Sequence, residues 1–422
     1  KRTLFYFKNR HKLIKNLIKI LFFISLISIS FGDYKWPTDN EGHLTTNFCE
    51  PRHRRFHAGI DVRTFGEIGK NIYAIESGYI IRIKVSPYKY GKAIYLQLDD
   101  GNIALYSHLD RFNSTIEKIC DSIRVKNNSS FFDYYLPDNE KIPITKSDII
   151  GYSGDTGSLS GPHLHFEIRD KDNQPINPLV DFYEIEDTIR PYANSIAFIP
   201  LDNNSWLNGV QDYQTFKLKK INDYKYIIED TISTVGKFGI AIEAFDKINN
   251  QPFKFGVYGI ELYIDNILQY SILFDNYNFS QDPLIYSEID YTLLKNTDKV
   301  FHKLFNSEKN DLLTFIKKPL NSLTLEKGFH NLIINIKDAN NNKTQIQGVL
   351  SGSMLIPPDI SYHIDNNNNY ILELDRHYKG KVDFKLTTRF DNIENDIDIN
   401  IDSTNQIGLS LLNEPYNILE YQ

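Results

Sequence analysis

From residue 33 to about 184, apolar residues come in short β-branched and aromatic runs, at Asn71 to Ile75, Tyr79 to Val85, Ala93 to Leu98 and Ile103 to Ser107, separated by Gly-containing turns. This pattern predicts antiparallel strands. Asp99-Asp100-Gly101-Asn102 predicts a hairpin between the last two, because Asp and Gly accept the positive φ of tight turns. Residues 110–146 depart from the pattern. There Ser114-Thr-Ile-Glu117 has the spacing of a capping box and predicts a short helix, and the polar stretch Lys126-Asn-Asn-Ser-Ser130 follows. The segment is expected to be an insertion beside the core sheet.

Alternation continues in the second half, in Phe238 to Phe245, Gly259 to Ile264 and Asn331 to Ile336, as expected for strands of a β-sandwich. Two of these strands end in similar polar turns, Asp246-Lys-Ile-Asn-Asn250 and Asp338-Ala-Asn-Asn-Asn342. Pro357-Pro358 suggests a boundary before a last β segment of the smallest size that folds alone. The expected organisation is therefore a leader over 1–32, a β domain over 33–184 with its insertion at 110–146, a β-sandwich over 185–356 and a short β segment over 357–422 that is either incomplete or packed on its neighbour.

A chain of 422 residues, 41% hydrophobic, can bury more than one core. Its formal net charge of -7, with Lys and Arg concentrated at the extreme N-terminus, offers no field for phosphate, so nucleic acid is not an expected partner. Lys1, Arg2, Lys8, Arg10, Lys12, Lys15 and Lys19 precede an apolar run from Ile20 to Phe31, the order of an export signal. Ser30 and Gly32 suit cleavage before Asp33, giving an exported, periplasmic or envelope protein; the competing reading is an uncleaved membrane anchor. Cys49 and Cys120 are the only cysteines, and the sequence leaves open whether they pair.

Candidate chemistry gathers between His57 and His165. In a strand, residues i and i+2 share a face, so His163 and His165 project together while Leu164, Phe166 and Ile168 face a core. Two imidazoles on one face, with an Asp and another His from elsewhere, are the nitrogen and oxygen donors that zinc prefers. His57-Ala-Gly-Ile-Asp61 and Tyr106-Ser-His108-Leu109 lie in the same region. His43, His53, His302, His330, His363 and His377 lack such settings and are expected to be structural or solvated.

These motifs resemble the lysostaphin-type, LytM-like zinc endopeptidases of the M23 family. The likeness rests on the HxxxD pair, the Tyr-x-His-Leu segment and the run Gly151-Tyr-Ser-Gly-Asp-Thr-Gly-Ser-Leu-Ser-Gly-Pro-His-Leu-His-Phe-Glu167, followed by Asn177-Pro178-Leu179. It covers about residues 40–182; the second half is similar, less specifically, to the immunoglobulin-like extensions that accompany such domains. The resemblance implies one Zn2+ held by His57, Asp61 and His165, with a fourth position for water. His108 and His163 would stand beside that water, orienting or deprotonating it. Glu167, two positions on, has two readings, one in which it orients a ligand and one in which it is solvated or structural. Cys49 stands where the family carries a small residue, and the insertion is placed to form one wall of the substrate groove.

The implied function is hydrolysis of peptide bonds in peptidoglycan stems or cross-bridges. The alternative is a non-catalytic LytM-like activator or binding partner of another wall hydrolase. Silent members lack one or more of the five residues, and all five are present here. The C-terminal β region is then expected to bind the wall or an envelope protein partner, or to cover the groove.

Overall fold

The computed structural model describes residues 34–158, 161–306, 313–353, 360–364, 370–388, 394–409 and 416–421. The basic and apolar leader and the Pro357-Pro358 junction lie outside the described residues. The chain is mainly β, built from several antiparallel sheets.

The N-terminal unit is organised by a sheet containing β1 (Leu44–Thr46), β2 (Ile60–Arg63), β3 (Gly78–Val85), β4 (Lys92–Leu98), β5 (Ile103–Ser107), β6 (Phe132–Tyr135) and β7 (His163–Arg169). Their spatial order is β1-β2-β7-β5-β4-β3-β6, with every neighbouring pair antiparallel. The β-branched and aromatic runs seen in the sequence form these strands because alternate residues reach a shared core. Leu164, Phe166 and Ile168 of β7 are fully buried with Ile60, Val62 and Tyr106. The hairpin between β4 and β5 closes as expected, with Gly101 at φ +94°.

The insertion contains α1 (Ser114–Asn127), whose Ile116, Cys120 and Ile123 pack into that same core. Its cap is Asn113, one residue before the expected Ser114: the Asn113 side chain accepts from Ile116 N at 2.9 Å while its amide donates to Ile149 O. Ser114 is already helical and Glu117 turns to Arg124, so the capping box does not form. After the helix, β6 and Ile142–Ile144 both pair with β3. That edge is four strand positions, about 19 Å, from β7. The insertion thus covers the core face and extends the far edge, and the expected wall beside the histidines is not where it lies.

The described residues between 192 and 353 form two sheets on one core. The smaller contains Tyr192–Pro200 and Phe238–Phe245; the larger contains Lys225–Val235, Gly259–Ile264, Gly328–Lys337 and Lys343–Ser353. Ile196, Phe198, Ile240 and Ile242 of the first share a cluster with Ile260, Leu262, Ile334 and Ile346 of the second. Lys225–Val235 runs parallel to Lys343–Ser353, unlike the other pairings here. Strands between Ile360 and Tyr421 form a separate four-stranded antiparallel sheet.

The two main units are not independently packed. Phe48, Cys49, Phe56 and Ala58 belong to the second unit's core, whereas Ile248 and Phe255 belong to the first unit's. The Phe56 ring meets Tyr277 and Phe315 at centroid distances of 5.4 and 5.2 Å. Asn47 adds reciprocal hydrogen bonds, its side chain donating to Gly256 O at 2.8 Å and accepting from Gly256 N at 2.9 Å. Cys49 and Cys120 are free thiols buried in different cores, so neither cross-links the other.

Phe56 is 1% exposed. Phe56→Ala is expected to lower unfolding free energy by about 3–5 kcal/mol, the usual cost of emptying an aromatic site in a core. Urea unfolding of the full chain checks this. A loss below about 1 kcal/mol would mean that the loop does not depend on the second core.

Candidate metal centre

Antiparallel register makes the first pair. Asp61 of β2 lies directly opposite His165 of β7, and Ser107 flanks His165 on the other side. Cross-strand partners point to the same face, so Asp61 and His165 meet above the sheet. Their contact is 2.9 Å, from Asp61 Oδ1 to His165 Nδ1.

His57 enters from the loop before β2. Its backbone is held by bonds from Cys49 N to His57 O and from His57 N to Glu50 O. Two residues on, Gly59 crosses β7 so closely that a Cβ would stand 2.1 Å from Phe166 O, which lets the loop drop onto the strand. His57 Nε2 then lies 3.1 Å from Asp61 Oδ1 and 3.0 Å from His165 Nδ1. The HxxxD spacing is therefore a loop residue and a strand residue converging, not one helical face.

His108 sits at the break between β5 and the strand Leu109–Phe112, with φ +61°. This left-handed turn redirects the chain, and the ring comes within 5.0 Å of His163 and 5.9 Å of His165, centroid to centroid. His163 Nε2 lies 3.5 Å from Asp61 Oδ1. All five sequence-predicted residues are brought together. The other described histidines stay apart: His302 is buried against Glu288, and His330 pairs with Asp265.

Each imidazole has one nitrogen committed to an oxygen that can only accept. His57 Nδ1 donates to Asn47 O at 2.7 Å, His108 Nδ1 to Thr156 O at 2.8 Å and His163 Nδ1 to Gly161 O at 3.0 Å. His165 uses its other nitrogen, Nε2, which donates to Glu167 Oε1 at 2.8 Å. The remaining nitrogens of His57, His165 and His163 face Asp61 Oδ1 at 3.1, 2.9 and 3.5 Å, and, against burial, Asp61 and Glu167 push His165 up to about 9, so a cation bound here would displace its proton. The tautomers are set by the scaffold.

Glu167 is itself fully buried, accepting from Tyr90 Oη at 2.7 Å and from Arg169 Nε at 2.7 Å. Burial alone would raise its pKa, but Arg169 and His165 outweigh it and hold the carboxyl down at about 2. Asp61 behaves similarly: burial opposes the charge, and His57 and His165 keep it well below the usual carboxylate range. Its second oxygen accepts from Thr46 Oγ1 at 2.6 Å and Arg52 at 3.2 Å. His108 is lowered to about 4 by burial and by His165, so it is neutral near pH 7.

Alternation in His163-Leu-His-Phe-Glu-Ile-Arg169 would have revealed Arg169 as well as Glu167, since all four polar residues share one face. Tyr90, Thr46, Arg52 and the Asn47 carbonyl had no such local signal.

The donor set fits zinc. His57 Nε2, Asp61 Oδ1 and His165 Nδ1 form a triangle with sides of 2.9 to 3.1 Å. Ligand atoms around a tetrahedral zinc at about 2.1 Å stand about 3.4 Å apart, so an adjustment of a few tenths of an ångström is needed. Lone-pair atoms this close require a cation or protons between them, and one divalent ion would satisfy all three. Cys49 contributes nothing here: it is buried in the other core, where burial and nearby carboxylates push its thiol well above the ordinary range.

No family model matches the chain. Over 125 residues it is 29% identical to the DD-carboxypeptidase/endopeptidase Mpg of Neisseria meningitidis and to that of Neisseria gonorrhoeae. The match takes in 30% of this chain and spans 22% of the length of those relatives. Among solved structures, a zinc containing peptidase from Vibrio cholerae is 24% identical, with 34% of this chain and 39% of that one covered and a TM-score of 0.26. The catalytic domain of the antimicrobial peptidase lysostaphin from Staphylococcus simulans is 25% identical over 35% of this chain and 92% of that one, with a TM-score of 0.23. The likeness of the N-terminal unit to the M23, LytM-like peptidases is carried by its sequence motifs, His57-x-x-x-Asp61, Tyr106-x-His108-Leu109 and the run Gly151 to Glu167.

Proposed function

We propose that this chain is an exported zinc metalloendopeptidase that hydrolyses peptide bonds in peptidoglycan stems or cross-bridges. The observation that carries the reading is the convergence of His57 Nε2, Asp61 Oδ1 and His165 Nδ1 beside two further imidazoles that are not needed to hold the ion. The similarity to DD-carboxypeptidase/endopeptidases supports the substrate class.

In this reading His57, Asp61 and His165 are the zinc ligands. Zinc, when bound, supplies Lewis acidity and lowers the pKa of a coordinated water to about 7. The work of the chain itself is to place proton acceptors and donors around that position. His108 and His163 each present an Nε2 lone pair there, and the depressed pKa of His108 keeps it able to accept a proton at neutral pH. Once protonated, either ring can donate to the oxygen on which negative charge develops or to the departing amine. Thr156 O and Gly161 O hold these rings in orientation through the cycle. Glu167, braced by Arg169 and Tyr90, fixes the His165 ring.

The full chain should release new amino termini from purified peptidoglycan without any partner, stop on chelation and recover with zinc. His57→Ala, Asp61→Ala and His165→Ala should lose bound zinc. His108→Ala or His163→Ala should retain zinc while turnover falls about 10²–10⁴-fold, the usual worth of a positioned acid or base. Glu167→Gln should weaken zinc affinity by about 10–100-fold. Elemental analysis and release of amino termini read both quantities. If wild-type protein cuts nothing but stimulates a separate wall hydrolase, and His163→Ala stimulates equally, the peptidase reading fails in favour of the activator.

Export rests on the leader, with cleavage before Asp33. The protein recovered from the cell envelope should begin at or near Asp33 on N-terminal sequencing. A chain still carrying Leu13 to Phe31 would establish the anchor instead.

A further inference from the structure

Away from the histidines, three carboxylates converge where the N-terminal unit meets the two-sheet region. Asp246 ends the strand Phe238–Phe245, Asp338 ends Gly328–Lys337, and Asp187 lies in the connection that follows the N-terminal unit. One oxygen from each falls within 4.8 Å of the others. Asp246 and Asp338 are 3% and 2% exposed. They border a cavity of about 20 Å³, which Asn340 and Tyr258 also line. That is room for one small ion or one water.

The neighbouring chemistry offers these carboxyls no cationic side chain. Among the described residues, no Lys, Arg or His forms an ion pair with any of the three. Asp187 Oδ1 accepts from Ile189 N and Asn249 N, and Asp338 accepts from the Asn342 backbone and amide. Asp246 Oδ1, by contrast, is buried with no hydrogen-bond partner. An ionised carboxylate oxygen left bare in a protein interior is costly unless a cation or a proton meets it. Burial first, then Asp338, raises the Asp246 pKa to about 9, so without a cation this carboxyl holds a proton at neutral pH, and a bound cation would displace it.

We propose that Asp187, Asp246 and Asp338 bind a hard divalent cation of the calcium class at the seam between the two units. The donors are all oxygen, with no imidazole or thiolate, which selects calcium over zinc. Three carboxylates and the Asn340 amide supply a partial shell, and water completes it. The similar turns Asp246-Lys-Ile-Asn-Asn250 and Asp338-Ala-Asn-Asn-Asn342 have a shared purpose in this arrangement: each delivers an Asp from the end of its strand to the same cavity. The surrounding bonds tie the seam together, with Asn340 donating to Ile185 O at 2.6 Å and Asn342 to Asp187 O at 3.1 Å. The inference stands whether or not the histidine centre is a peptidase.

The test is thermal unfolding of the zinc-loaded full chain in a calcium-selective chelator and in about 5 mM calcium. With a Kd on the order of 0.1 mM, calcium should raise the midpoint by about 5 °C, and magnesium by less. Asp246→Asn and Asp338→Asn should lose most of that shift. In chelator both should unfold at or above the wild-type temperature, because Asn copies the neutral state that burial favours for these carboxyls when no cation is bound. A second measurement does not depend on the variants folding: terbium bound to wild-type protein should emit when tyrosine is excited, through Tyr258, and calcium should quench the signal by displacement. The proposal is overturned if calcium leaves the wild-type midpoint unmoved, if both variants keep the full shift, or if no calcium-displaceable emission appears.

Discussion

The centre depends on one register, that of β7 between β2 and β5. Because side chains alternate along a strand, the same pairing that buries Leu164, Phe166 and Ile168 lifts His163, His165, Glu167 and Arg169 to the other face. A slip of one residue would send two imidazoles and an ion pair into an apolar core, so the core itself enforces the geometry of the site. Asp61 shares this logic from the neighbouring strand, alternating with buried Ile60 and Val62. The burial that stabilises the sheet and the aim of the proposed ligands are one constraint.

His57 is held differently. Its loop carries Phe48, Cys49, Phe56 and Ala58 into the core of the two-sheet region, and its Nδ1 is oriented by Asn47, whose side chain is bonded to Gly256 across the seam. Two of the proposed ligands are thus positioned by the N-terminal sheet and the third by the junction of two units. This gives the C-terminal region a structural role at the centre, whatever else it binds. An isolated segment ending near Tyr183 would expose Phe56 and leave Asn47 without Gly256. The intact chain is therefore the proper form in which to study the site.

The parts readable in the sequence were those governed by short-range periodicity. Alternation placed the strands of both units, with Phe238–Phe245 and Gly259–Ile264 matching to the residue, and the i, i+2 spacing put His163 and His165 on one face. The family likeness then drew His57, Asp61 and His108 to them. What escaped depended on distant backbone. Asn113 displaced Ser114 as cap because the preceding strand ends there, which a local motif cannot register. The insertion turned to the core face because Ile116, Cys120 and Ile123 found apolar partners far away in sequence. Tyr90, Thr46 and Arg52 reach the centre only through tertiary folding, and the resemblance of the turns after Asp246 and Asp338 carried no meaning until the two were seen to meet.

The central claim is that His57, Asp61 and His165, and no thiol, hold one zinc with an open position. X-ray absorption at the zinc edge of the full-length, zinc-loaded protein tests it most directly. The account predicts about four nitrogen or oxygen neighbours at about 2.0–2.1 Å, with outer-shell scattering from two imidazole rings. A sulfur neighbour at about 2.3 Å, or scattering from three or more imidazoles, would contradict it.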